Sequence, residues 1–307
     1  MTTSAYRFTD RTLPGESLRF FDVTAADGTR LRAWTNDADG PAVVLCNGLG
    51  TNPYCWPALL QPDCGVRVIS WNHRGVGGSE RPADEAAVDI EHFAGDAIAV
   101  MDHLGIASAP MMGWSMGVNT IFEAAVSYPD RVEGLFAVGG VPGDTFASML
   151  APLHVPRPAR KPFTVNAARV MKQLGLPLTM LARAVPSDRH LTVALQHSGF
   201  MLPHGDTDLV QRAVNEFLTT PIDWYMHLAL HSSLHLRVSL SEVEVPTSFV
   251  AGTYDVLASA ADMRSAAERT DGEYLELSAS HFLPLEYPDR VHAALLDLVR
   301  AAGSKAA

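Results

Sequence analysis

The chain has 307 residues, 47% hydrophobic and 19% charged, which suits a globular α/β protein with one large core and excludes an intrinsically disordered chain. A formal net charge of −11 without any Lys/Arg run argues against nucleic acid and anionic membrane surfaces as partners and favours small molecules. Met1 to Arg11 is polar and no apolar stretch reaches membrane-spanning length, so a cytoplasmic protein without a membrane span is expected.

Leu18 to Thr24 and Arg30 to Thr35 flank Asp27-Gly28, a hairpin signal, so an antiparallel pair opens the domain. Ala42 to Cys46 and Val66 to Trp71 are short continuous apolar runs, as in strands buried on both faces, and a short helix is expected between them over Tyr54 to Leu60. Asp89 to Leu104 carries Ile90, Phe93, Ala97, Val100, Met101 and Leu104 at helical spacing, with Gly105 as the stop. A strand entered at Pro110 then runs into Gly113-Trp114-Ser115-Met116-Gly117, after which Val118, Ile121, Phe122, Ala125 and Val126 mark a helix that ends before Pro129. Gly134 to Val138 reads as the next strand. From 141 to 235 the alternation fails: helices are expected over Val165 to Leu174, Arg189 to His197, Asp208 to Leu218 and Asp223 to Leu234, and no strand. Alternation resumes with Thr247 to Val250, a helix near Ala258 to Ala267, Glu273 to Leu277 and a last helix over Asp289 to Arg300. The pattern predicts an α/β fold: a mainly parallel eight-stranded sheet with helices on both faces, formed by 1–140 and 236–307, and a helical cap inserted at 141–235. The cap is rich in Met, Leu and Phe, including Met149, Met171, Met180, Phe200, Met201 and Met226, which reads as packing more than as a binding surface.

Gly-x-Ser-x-Gly arises by chance in about one chain of this length in ten, so its surroundings carry the weight. Here it joins a strand to a helix through a turn that needs small flanking residues and leaves a hydroxyl at the sheet's carboxyl edge, near a helix N-terminus. A serine hydroxyl is a poor nucleophile at neutral pH and needs a base, itself oriented by a third group. Asp255 and His281 each follow a later strand, so both are expected at the same edge. These pieces, with the Asn47-Gly48 turn, Arg74-Gly75-x-Gly77-x-Ser79 and Pro288-Asp289-Arg290, resemble the α/β-hydrolase family over nearly the whole chain outside the cap. The resemblance implies Ser115 as nucleophile, His281 as general base and acid, Asp255 as the orienting acid, and the backbone N–H groups of Leu49 and Met116 as the oxyanion hole. It implies acyl hydrolysis of a small-molecule substrate, as in a carboxylesterase, without cofactor or metal, and the composition of the large apolar cap suggests a moderately hydrophobic acyl or alcohol group. A thioesterase, lactonase, carbon–carbon bond hydrolase or acyltransferase presents the same triad, and a silent ligand-binding member is the alternative outside enzymes. Epoxide hydrolases and haloalkane dehalogenases of this scaffold need a carboxylate where Ser115 stands. The family usually has His and Asp where this chain has Asn47 and Asn72, both read here as turn-shaping.

Asp144, after the strand ending at Val138, is the rival acid. Trp114 and Trp224 are candidate pocket residues, each equally plausible as core. His227, His231 and His235 share one helical face, as metal ligands can, yet the His-Glu-x-x-His pattern is missing and polar helix residues are the preferred reading. Of three cysteines, Cys55 and Cys64 lie close enough in sequence to pair, whereas Cys46 sits in an apolar run and reads as a small hydrophobe.

Overall fold

The computed structural model describes residues 17–184, 188–235 and 238–305. Its sheet is built from β1 (Arg19–Thr24), β2 (Arg30–Thr35), β3 (Ala42–Cys46), β4 (Arg67–Trp71), β5 (Ala109–Trp114), β6 (Val132–Val138), β7 (Thr247–Gly252) and β8 (Glu273–Leu277). The eight strands lie in the order β1-β2-β4-β3-β5-β6-β7-β8. β1 and β2 form the expected hairpin, β2 pairs antiparallel to β4, and every later pairing is parallel.

Between the strands run α1 (Ile90–His103) and α2 (Met116–Ser127). Among the described residues, six α-helices separate β6 from β7: α3 (Thr145–Ser148), α4 (Arg157–Gln173), α5 (Gly175–Ala184), α6 (Arg189–Gln196), α7 (Thr207–Phe217) and α8 (Ile222–Ser232). After β7 come α9 (Ala260–Arg269), α10 (Leu283–Glu286) and α11 (Pro288–Lys305). No helix among the described residues is long and apolar enough to cross a membrane.

Strand residues alternate between two cores. Val44, Met111, Leu135 and Phe249 face α1, α2 and α9, whereas Leu45, Met112, Phe136 and Val250 face α11 and the turns after β3. Both faces are therefore covered, which is why these strands read as continuous apolar runs.

Three local expectations change. Residues 54–60 form two separate 3-10 turns, Pro53–Cys55 and Pro57–Leu60, because each proline opens a turn and lacks the N–H that would continue the one before it. α4 starts at Arg157 instead of Val165 and tolerates Pro162 in its interior, while α5, with Pro177 near its start, was not expected. Cys55 and Cys64 are buried free thiols and do not pair; burial pushes the Cys55 thiol up to about 12.

The turn after β4 holds buried charge. The Arg74 guanidinium donates through Nε to Asp96 Oδ2 at 2.9 Å and through Nη2 to Asp96 Oδ1 at 2.6 Å, and it also pairs with Asp27 of the hairpin turn. Burial pushes the Asp96 carboxyl up while Arg74 pulls it down. The pair locks the Arg-Gly turn to α1 and to the β1–β2 hairpin. Next to it, His73 stacks edge-on against Phe93 at 4.8 Å, and burial pushes its imidazole down to about 4. A histidine held neutral in the fold contributes stability that is present above its unfolded value of 6.5 and lost as pH falls toward 4. We expect this group to lower the unfolding free energy by up to about 3 kcal/mol across that window. In urea titrations at successive pH values, His73→Leu should flatten that part of the profile; an unaltered slope would place the acid sensitivity elsewhere.

Candidate active site

Parallel register brings the strand ends to one edge. Cys46 of β3 aligns with Gly113 of β5, Trp114 with Val138 of β6, and Val138 with Val250 of β7, so the loops that follow begin side by side. Ser115 sits between β5 and α2 at φ 56°, ψ −119°, a strained backbone for a residue with a Cβ. Its N–H donates to Val138 O at 2.9 Å and its carbonyl accepts from Val118 N–H at 3.1 Å, which over-determines the turn. The flanking glycines are required by contact: a Cβ on Gly117 would lie 1.8 Å from Cys46 O, and one on Gly113 would lie 2.6 Å from Gly117 O.

The structure brings Ser115, His281 and Asp255 together. His281 Nε2 lies 2.8 Å from Ser115 Oγ, and His281 Nδ1 lies 2.8 Å from Asp255 Oδ2. The histidine and aspartate side chains are 6% and 0% exposed, so solvent does not compete for this hydrogen bond. Asp255 Oδ1 accepts from the N–H groups of Leu257 (2.7 Å) and Ala258 (2.8 Å), leaving only Oδ2 to face the ring. Asp144, the rival acid, is bonded instead to Lys161 Nζ at 2.9 Å.

The loop after β3 passes against the serine: a Cβ on Gly48 would lie 3.2 Å from Ser115 Cβ. That places the Leu49 backbone on the same side as Met116, the first residue of α2. Neither of their N–H groups has a hydrogen-bond partner among the described residues. Their side chains share a cluster with Val76, Phe146, Trp224 and Leu228. Asn47 Oδ1 accepts from Trp56 Nε1 at 2.8 Å and Asn72 Nδ2 donates to Gly77 O at 2.7 Å, contacts that shape their turns.

Pocket and core are the two readings of the tryptophans, and both side chains are buried. Trp114 is 1% exposed and donates its Nε1–H to His281 O at 3.0 Å, with Trp56 and Phe282 edge-on around it, so it supports the histidine loop from inside the core. Trp224 of α8 is also buried and donates to Arg74 O at 2.8 Å, which ties the inserted helices to the Arg-Gly turn. Beside it, Tyr225 and Phe217 pack on Gly50, and desolvation pushes the Tyr225 phenol up to about 12, so it stays neutral at physiological pH.

One positioning residue escaped the sequence reading. Buried Glu286 of α10 accepts from Ser280 N–H (2.8 Å) and Ser280 Oγ–H (2.6 Å) and, across to the inserted helices, from Leu202 N–H (2.8 Å). The only signal was a carboxylate in the apolar run Leu283-Pro284-Leu285, where an unpaired charge would be costly. The three imidazoles do not converge. His227 Nε2 bonds Glu85 O at 2.7 Å and its Nδ1 meets Lys172 Nζ at 2.8 Å, His231 packs on the His227 ring, and His235 Nε2 meets Glu123 Oε2 at 3.1 Å. His235, Glu123 and the exposed Glu91 have possible ligand atoms within 4.8 Å of one another.

The family model described as alpha/beta hydrolase fold matches residues 41–288. Epoxide hydrolase A of Mycobacterium tuberculosis is 26% identical over 89% of this chain and 95% of its own length. The 3-oxoadipate enol-lactonase 2 of Acinetobacter baylyi is 24% identical over 89% of this chain and 94% of its own. Among solved structures, an esterase from Exiguobacterium antarcticum superposes with a TM-score of 0.70 at 19% identity, covering 92% of this chain and all (100%) of that one.

Proposed function

Because the chain belongs to the α/β-hydrolase fold family, we propose that it is a serine hydrolase that cleaves a carboxylic ester or related acyl compound through an acyl-enzyme. The observation that carries this reading is the unbroken path from Ser115 Oγ through His281 to Asp255, two contacts of 2.8 Å each. Ser115 Oγ attacks the acyl carbon while its proton passes to His281 Nε2. The oxyanion then accepts hydrogen bonds from the Leu49 and Met116 N–H groups, which strengthen as negative charge develops. Collapse of the intermediate expels the alcohol, protonated by His281. Water, deprotonated by the same imidazole, attacks the acyl-enzyme and releases the acid. Asp255 holds the ring in the tautomer with Nδ1–H toward itself and stabilises the imidazolium.

The names of the relatives cover two chemistries, and the nucleophile separates them. A serine that opened an epoxide would end as an alkyl ether, which has no carbonyl for water to attack, so turnover would stop. A lactone is an internal ester and suits the same steps. Leu49 and Met116 pack in one buried apolar cluster with Phe146 and Leu228 of the inserted helices, apolar surroundings in keeping with a moderately hydrophobic acyl or alcohol group. The helices inserted at 141–235 act as the cap that selects it.

A fluorophosphonate probe tests the reading, since it reacts with an activated serine whatever the natural acyl group is. The wild type is expected to be labelled and Ser115→Ala to stay unlabelled. A folded wild type that resists the probe would overturn the enzyme assignment.

A further inference from the structure

α4 and α5 turn their large side chains the wrong way for a helix packed in water. The residues α4 buries are Thr164 and Ala168, both small. Its exposed side carries Phe163 (63% exposed), Val170 (53%) and Leu174 (50%), a stripe at helical spacing completed by Ala167. α5, which follows directly in the chain, exposes Leu176 (71%), Met180 (65%) and Leu181 (62%). Scattered exposed leucines are ordinary, but a contiguous apolar stripe marks a contact surface.

Charge says what kind. Between Asp144 and Asp188 the sequence has no acid and six cations, Arg157, Arg160, Lys161, Arg169, Lys172 and Arg183, in a chain of net charge −11. Arg157 and Lys161 pair with Asp262 and Asp144 and Lys172 Nζ is held by His227 of α8, whereas Arg160 and Arg169 meet no carboxylate among the described residues.

We propose that the outer face of α4 and α5 docks on an anionic phospholipid surface. The apolar stripe enters the boundary between headgroups and acyl chains, and the flanking cations meet the lipid phosphates. A second copy of the chain fits less well, because a two-fold contact through this patch would set its cations against their own copies. The overall negative charge pointed away from anionic surfaces only because it averages over a strongly segregated distribution. Docking stands apart from the chemistry proposed at Ser115, so both can be tested independently.

Flotation of the full chain with vesicles reads it directly. With vesicles holding about 30 mol % phosphatidylglycerol in phosphatidylcholine, the wild type and Ser115→Ala are both expected to float. The floated fraction should drop about fivefold or more with phosphatidylcholine alone, in ~0.5 M salt, or in Arg160→Glu/Arg169→Glu. Phe163→Glu/Leu176→Glu/Met180→Glu should lose flotation while keeping the wild-type circular dichroism spectrum, since all three side chains are exposed. Wild type that stays at the bottom, or that floats equally with neutral vesicles, overturns the proposal. So does a stable dimer in sedimentation velocity that the triple variant abolishes, since it would assign the stripe to a second copy.

Discussion

Replacing His281 by alanine is expected to slow turnover of a short-chain p-nitrophenyl ester by about 10⁴-fold, with KM changed far less. In the proposed mechanism the imidazole works twice, taking the proton of Ser115 and later that of water, so its removal handicaps both halves of the reaction. Substrate binding does not need it. The residual rate expected on the same proposal comes from the N–H donors at Leu49 and Met116, which would stabilise the oxyanion without moving a proton. The site should keep its shape, because the His281 loop is held by backbone and neighbouring side chains: Trp114 donates to the His281 carbonyl at 3.0 Å and Glu286 fixes Ser280 at 2.6 Å and 2.8 Å. Steady-state kinetics on variant and wild type decide it. Undiminished kcat in His281→Ala would remove the histidine from the mechanism.

Asp255→Asn is expected to cost about as much, roughly 10³ to 10⁴ in kcat, through proton placement alone. Asp255 Oδ1 already accepts two backbone N–H groups, from Leu257 and Ala258. An asparagine must put its carbonyl oxygen there and turn its NH₂ toward His281 Nδ1. The ring then carries its proton on Nε2, facing Ser115, and cannot accept another. Asp144→Asn breaks only a half-exposed ion pair with Lys161 and should leave kcat within about twofold. The opposite pattern, with Asp144→Asn inactive and Asp255→Asn active, would move the acid role to residue 144.

The strand-turn-helix around Ser115 was legible because its constraints are local. Gly113 and Gly117 are demanded by backbone contacts, and the apolar runs on each side show the strand and helix periods directly. The hairpin at Asp27-Gly28 and the α1 pattern from Ile90 to Leu104 are local in the same way. Prolines were an uneven guide: the helix before Pro129 ends where expected, but Pro162 lies inside α4 and Pro177 near the start of α5, while Pro57 divides what reads as one helix. Glu286 escaped because its partners, Ser280 and Leu202, are set by the meeting of two loops.

What the sequence alone determined is therefore the order of elements, the α/β alternation, the elbow and the candidates for the catalytic roles, all written in neighbouring residues. Only the tertiary structure put Asp255, and not Asp144, beside His281, since that depends on which strand end lies next to the histidine loop. It also placed Trp114 in the core beneath the histidine and separated the three imidazoles of α8 and its end. Last, it turned the apolar stripe of α4 outward. Periodicity reveals that a helix has an apolar face, but which medium that face meets is settled by the packing around it, and here Thr164 and Ala168 point inward while Phe163 and Leu174 meet solvent.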